Sequence, residues 1–153
     1  MRAIRALLLA LAVPCAPLSA QQVSGCDGHE ARAENLMEPW DENSRSFSGG
    51  RTRLAVLDTI EPALGAFYVM ILSPPFDPLG ARQCRVVGLP DGMGFARIRF
   101  DALASAYDPL SGLSFDLPVE VYDAAQDAPV PKRLRLNVNQ ASGEITAQIE
   151  AAQ

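Results

Sequence analysis

The sequence predicts an all-β domain, mainly antiparallel, built as a small β-sandwich or barrel of about seven strands. Three observations carry that expectation. Apolar and polar residues alternate with a period of two through the C-terminal third. Turn residues recur about every ten positions from Arg53 onward. Ala66 to Leu72 is a strand-length run that is apolar on both faces, as in a central strand covered on both sides.

The chain opens with a short cationic stretch, Met1-Arg-Ala-Ile-Arg5, followed by an unbroken apolar run from Ala6 to Val13. Pro14 breaks the run, and Leu18-Ser-Ala20 leads into polar Gln21-Gln22. A basic start, an apolar run too short to span a bilayer and a small-residue exit predict a cleaved secretory signal over residues 1–20. One lysine, Lys132, stands among 13 basic residues in a chain rich in Ala, Pro and Gly. That composition points to a GC-rich bacterial genome, and the expected address is the periplasm. No later apolar stretch approaches the length of a membrane span, so no transmembrane anchor is expected.

Beyond the signal, residues 21–52 read as a polar N-terminal segment docked on the domain. Glu30 to Glu38 is expected as a short helix ended by Pro39. Residues 53–153 read as the β-rich globular domain, with strands at 53–58, 66–73, 82–89, 94–100, 113–122, 133–139 and 144–150. Asp101 to Tyr107 is ambiguous, with room for one helical turn. No segment repeats internally.

The C-terminal strands specify their own pairing. Leu113, Phe115, Leu117, Val119 and Val121 alternate with polar neighbours, as do Leu134, Leu136 and Val138, and then Ile145, Ala147 and Ile149. Gln140-Ala-Ser-Gly143 is a four-residue turn in which Gly143 supplies a positive φ. With Asn139 facing Glu144, Arg133 falls opposite Glu150 and Leu134 opposite Ile149. Across a loop at 123–132, Glu120 is expected opposite Arg135 and Val121 opposite Leu134. A three-stranded meander follows, since a one-residue slip would turn the apolar face to solvent.

Cys15 leaves with the signal, so Cys26 and Cys84 remain as an even pair in an oxidising compartment, and a disulfide between them is expected. The competing reading is a lipoprotein, because Val23-Ser-Gly-Cys26 fits a lipobox. Polar Ser19 to Gln22 weaken that reading by separating the apolar run from the cysteine. Loss of Arg2 and Arg5 with the signal takes the formal charge from −5 to −7. An acidic chain argues against nucleic acid and against anionic lipid as partners.

Candidate chemistry is sparse. His29 is the only histidine, with no nucleophile motif beside it, and Cys26-x-x-His29 is too few ligands for zinc. Asp58 with Glu61, and Asp41-Glu42 beside Trp40 and Asn43, are carboxylate neighbours that a glycosidase would need, but solvated loop charge explains them equally. Asp108-Pro-Leu-Ser-Gly112 lacks the ligand spacing of a calcium loop and reads as a Pro-containing turn. Trp40 and Phe47 offer either a stacking surface or the contact that docks the N-terminal segment. Arg85, Arg97 and Arg99 would share one outward face if strands 82–89 and 94–100 paired through the Pro90–Gly94 turn, making a small anion or carboxylate site. No cofactor and no metal is expected.

Glu34-Asn-Leu-Met-Glu-Pro-Trp-Asp-Glu-Asn-Ser-Arg-Ser-Phe47, Ala55-Val-Leu-Asp-Thr59 with Glu61-Pro62, Leu72-Ser-Pro-Pro75, Arg82-Gln-Cys-Arg-Val-Val87 and Asn139-Gln-Ala-Ser-Gly143 resemble a family of small exported proteins of alphaproteobacteria. The resemblance implies export and bacterial origin. That family has no assigned activity, so the resemblance carries no residue role. The expected function is a non-enzymatic periplasmic binding or accessory protein with a protein or small-ligand partner. The alternatives are a small periplasmic hydrolase using carboxylates and a lipoprotein acylated at Cys26.

Overall fold

The computed structural model describes residues 22–152. The leader read over residues 1–20, with Cys15, lies outside them. Ten strands form two five-stranded antiparallel sheets whose inner faces share one core. In the first sheet are β1 (Gln22–Gly25), β2 (Ser44–Phe47), β3 (Thr52–Asp58), β4 (Phe67–Phe76) and β5 (Arg82–Gly88), in the order β1-β5-β4-β3-β2. The second holds β6 (Arg97–Ile98), β7 (Ala104–Asp108), β8 (Gly112–Asp123), β9 (Ala128–Val138) and β10 (Ile145–Ala151). Its order is β10-β9-β8-β6, with β7 also paired to β8. The arrangement is a sandwich, not a closed barrel. Each sheet draws on one contiguous half of the chain.

The alternation sets the core. Leu54, Val56, Val69, Ile71 and Val87 of the first sheet meet Phe115, Leu117, Val119, Leu134, Leu136 and Val138 of the second. Phe95, fully buried, enters this layer from the crossover between the halves. β4 lies at the centre of its sheet, as its two apolar faces require. Its outer cover comes from a topological necessity. β1 and β2 occupy opposite edges, so the chain between them must cross the sheet's outer face. The crossing segment is pinned by the Cys26–Cys84 disulfide, with Cα atoms 5.6 Å apart, and by a bridge from Leu36 to Leu57. Under it Leu57, Tyr68 and Val86 form a second, smaller cluster.

That segment differs from expectation in two ways. No helix spans Glu30–Glu38; 3-10 turns occupy His29–Ala31 and Ala33–Asn35, and a single α-turn, α1 (Trp40–Asn43), follows Pro39. The Asn35 side-chain amide donates to the carbonyls of His29 and Glu30 at 2.8 and 3.1 Å, while the Met37 N–H goes to Val56 on β3. Local side-chain bonds and a strand contact thus displace the helical ladder. The segment also does more than dock, because β1 and β2 are the edges of the first sheet.

The β9–β10 pairing matches the sequence reading: Ile149 faces Leu134, Glu150 faces Arg133, and Asn139 donates to the Glu144 carbonyl at 2.9 Å. The β8–β9 register is corrected by four residues with parity kept. Leu134 faces Leu117, and Arg135 faces Asp116. β9 begins at Ala128, so the loop is short, and Pro129 and Pro131 lie inside the strand. They are tolerated because β10 reaches only to Lys132, which leaves that stretch of β9 an edge.

Candidate functional site

Among the described residues no segment covers the outer face of the second sheet, and there the polar half of each alternating strand forms a trough of about 370 Å³. Two rungs of side chains cross four strands. Ala106 of β7, Ser114 of β8, Asn137 of β9 and Thr146 of β10 make one; Ala104, Asp116, Arg135 and Gln148 make the other. The hollow has a simple cause: β7 and β8 contribute small side chains, and the longer Arg135, Asn137 and Gln148 rise beside them.

The trough's charges are mutually satisfied. Arg133 donates to Asp116 Oδ2 at 3.0 Å, Arg135 Nη2 lies 4.0 Å from the same oxygen, and Arg135 Nε lies 2.8 Å from Glu150 Oε2. Ser114 donates to the Ala106 carbonyl at 3.4 Å. Asn137, Thr146 and Gln148 have no intramolecular side-chain hydrogen bond among the described residues, so amide and hydroxyl groups face solvent ready to pair. Such a surface donates and accepts in alternation and carries little net charge.

The arginines expected on one face are separated, which is a correction. The Pro90–Gly94 turn exists, with Leu89 donating to Met93 at 2.7 Å, but the chain then crosses to the other sheet. Phe95 bridges Phe67 at the start of β4, and Gly94 approaches so closely that a Cβ there would clash with the Phe67 carbonyl. Burial of Phe95 outweighs a local hairpin. Arg85 lies half-buried on β5 and donates to the Cys84 carbonyl at 2.8 Å. Arg97 and Arg99 stand with the second sheet, 3.7 Å from Glu120 and 3.3 Å from Asp101.

Other candidates resolve into structural roles. The Cys26 sulfur is bonded to Cys84 and has no free valence for a lipid thioether. His29 is exposed, 3.5 Å from Glu30. Among the described residues no cluster of three or more His, Cys, Asp or Glu could hold a metal. Asp58 accepts the Ile60 N–H within its own turn, and Asp41 and Glu42 lie in the exposed first turn of α1. Asp108 accepts from Leu110 and Ser111, confirming a Pro-containing turn. Those backbone donors hold its carboxyl below the usual range; Arg99 does the same for Asp101, and Gln126 for Asp123. A general acid needs the opposite shift. Trp40 and Phe47 part company: Phe47 packs edge-on to Phe115 at 4.8 Å, while Trp40 stays 61% exposed at the rim of a small apolar hollow.

Sequence reasoning named the trough's polar positions only as the solvent half of an alternation. β7 was the missing piece, because Ala-Ser-Ala-Tyr-Asp has little β-branched character and every residue of it is exposed. The fold and this site define a class, a disulfide-stapled antiparallel β-sandwich with one outer face capped and, among the described residues, the other bare. No protein-family model, curated protein or solved structure matches the chain. Among the described residues no helix is long and apolar enough to cross a membrane.

Proposed function

We propose that the protein is an exported, non-enzymatic binding module of the bacterial periplasm, and that its ligand is a small hydroxyl-rich molecule of the saccharide class held in the trough of the second sheet. The carrying observation is the pair of rungs, whose unengaged amides and hydroxyls at Asn137, Thr146 and Gln148 match the donor-and-acceptor pattern of sugar hydroxyls. The signal-like start and the Cys26–Cys84 disulfide support the periplasmic address.

Amide-resolved NMR titration of the chain from Gln21 onward with a panel of mono- and oligosaccharides tests the assignment. Shifts confined to residues 104–106, 114–116, 135–137 and 146–148, and lost in an Asn137→Ala, Gln148→Ala variant, are expected. No response to any saccharide, or a response elsewhere, overturns it.

A further inference from the structure

The last strand leaves one side of the second sheet open. Asn139 donates to the Glu144 carbonyl, which makes that pair a hydrogen-bonded rung, and such rungs alternate along an antiparallel ladder. In the β9–β10 register, the backbone groups of Thr146, Gln148 and Glu150 therefore turn toward β9. Those of Ile145, Ala147, Ile149 and Ala151 turn away from it, and among the described residues β10 pairs with β9 alone. The other edges are blunted. β1 and β2 are four residues long and β6 two. Every residue of β7 is exposed, so it offers no core row to extend, and the free stretch of β9 carries Pro129 and Pro131. β10 runs for seven residues without proline, lysine, glycine or a bulge. Its one charge, Glu150, already meets Arg135 at 2.8 Å. Its isoleucines, Ile145 and Ile149, pack against the core yet are only half-buried.

We propose that β10 is an interface between two copies of this chain, which pair their β10 strands antiparallel about a two-fold axis at Gln148. A row of outward N–H and C=O groups is matched only by another extended backbone, so the occupant is a strand. The side chains of β10 fit that strand to be β10 itself. With the axis at Gln148, Ile145 lies opposite the partner's Ala151 and Ile149 opposite the partner's Ala147. Every inward rung then joins a large side chain to a small one, and the apolar row continues across the axis. On the outer face Thr146 meets the partner's Glu150, a hydroxyl donor against a carboxylate. The two Gln148 amides meet on the axis, each able to donate and to accept. Other registers are worse. An axis at Ala147 would oppose two isoleucines and set Glu144 against the partner's Glu150. An axis at Ile149 would put that residue against itself and leave Ile145 beyond the end of the partner strand. The pairing does not rest on the saccharide reading, since backbone groups form the ladder whatever the trough holds.

Sedimentation velocity of the chain from Gln21 onward, over a concentration series, tests the proposal. A monomer–dimer equilibrium is expected. Ala151→Pro removes an outward N–H from each copy and should weaken the dimer about ten- to a hundredfold. It spares every β9–β10 hydrogen bond, so the thermal midpoint of the dilute monomer should not move. Gln148→Lys and Gln148→Glu each set like charges on the axis and should each weaken the dimer about tenfold. An equimolar mixture of those two variants should restore it, because opposite charges then meet. Asn137→Ala, which removes a trough amide on β9, should leave dimerisation intact and separates this pairing from the ligand site. A monomer at about 1 mM, a dimer indifferent to Ala151→Pro, or charge variants that their mixture fails to rescue overturns the proposal. So does a monomer whose 145–151 amides shift on adding an extended peptide of other sequence, which would assign the edge to a different chain.

Discussion

Neighbouring residues on one strand carry opposite stakes. Leu134 is fully buried between Leu117 and Ile149, and its truncation to alanine should cost about 2–5 kcal/mol in urea or thermal melts. Arg135, one position on, points into the trough beside Asp116 and Glu150; Arg135→Ala should cost about 1 kcal/mol or less, as for exposed ion pairs. That contrast was legible in the alternation itself. The identity of the opposite residue was not, because shifting a pairing by four positions leaves every apolar side chain on the same face. What settles it is the short turn at 124–127, where Asp123 Oδ1 accepts the Ala125 N–H at 2.9 Å and its other oxygen accepts from Gln126 at 2.7 Å. The Asp-Ala-Ala-Gln-Asp stretch carries no glycine to announce that turn, and the two prolines after it mimic a loop.

Elements are joined at the end that carries the β4–β5 and β9–β10 turns by a reciprocal pair of glutamines. Gln83 of β5 donates to the Gly143 carbonyl in the β9–β10 turn at 2.9 Å and to the Pro74 carbonyl at 2.8 Å. Gln140 of that turn donates to Thr52 of β3, which is fully buried, at 2.8 Å. Gln83→Ala leaves half-buried carbonyls unpaired and should lower stability by about 1–3 kcal/mol in equilibrium unfolding. Gly143 takes φ of 80°, as the turn residues predict, and lies so close to Pro75 that a Cβ would meet its ring at 2.5 Å. The glutamine clasps themselves were invisible in the sequence, since nothing local marks which distant carbonyl an amide will find. The Asp108 turn has a definite pH signature. Its folded pKa lies below the unfolded carboxylate value of about 3.9, so its contribution is present above about pH 4 and disappears as pH falls through the lowered folded value. Amide shifts of Leu110 and Ser111 should therefore be flat from neutral pH down to about 5 and move only in stronger acid.

For the molecule as a whole, the disulfide closes a loop of 58 residues that contains β2, β3 and β4. Replacing both cysteines with serine should lower stability by roughly 4 kcal/mol in the chain-entropy model. It should also open the segment over Leu57, Tyr68 and Val86 to limited proteolysis before the main core yields. An antiparallel all-β sandwich or barrel was readable from alternation and turn spacing, and the cysteine pairing from the two cysteines left after the signal; the choice of two open sheets was not. The capping of one outer face was not, because it follows from strand order, which puts β1 and β2 on opposite edges. The division of the chain into halves has a further consequence. Cleavage within Leu89–Gly94 would release two pieces, each holding all the strands of one sheet and neither covalently tied to the other, since the disulfide lies wholly within the first. Neither piece can cover its inner face alone. Co-expressed as residues 21–91 and 92–153, they should find each other and rebuild the shared core, so that the protein behaves as a heterodimer whose subunits happen to be joined by a peptide bond.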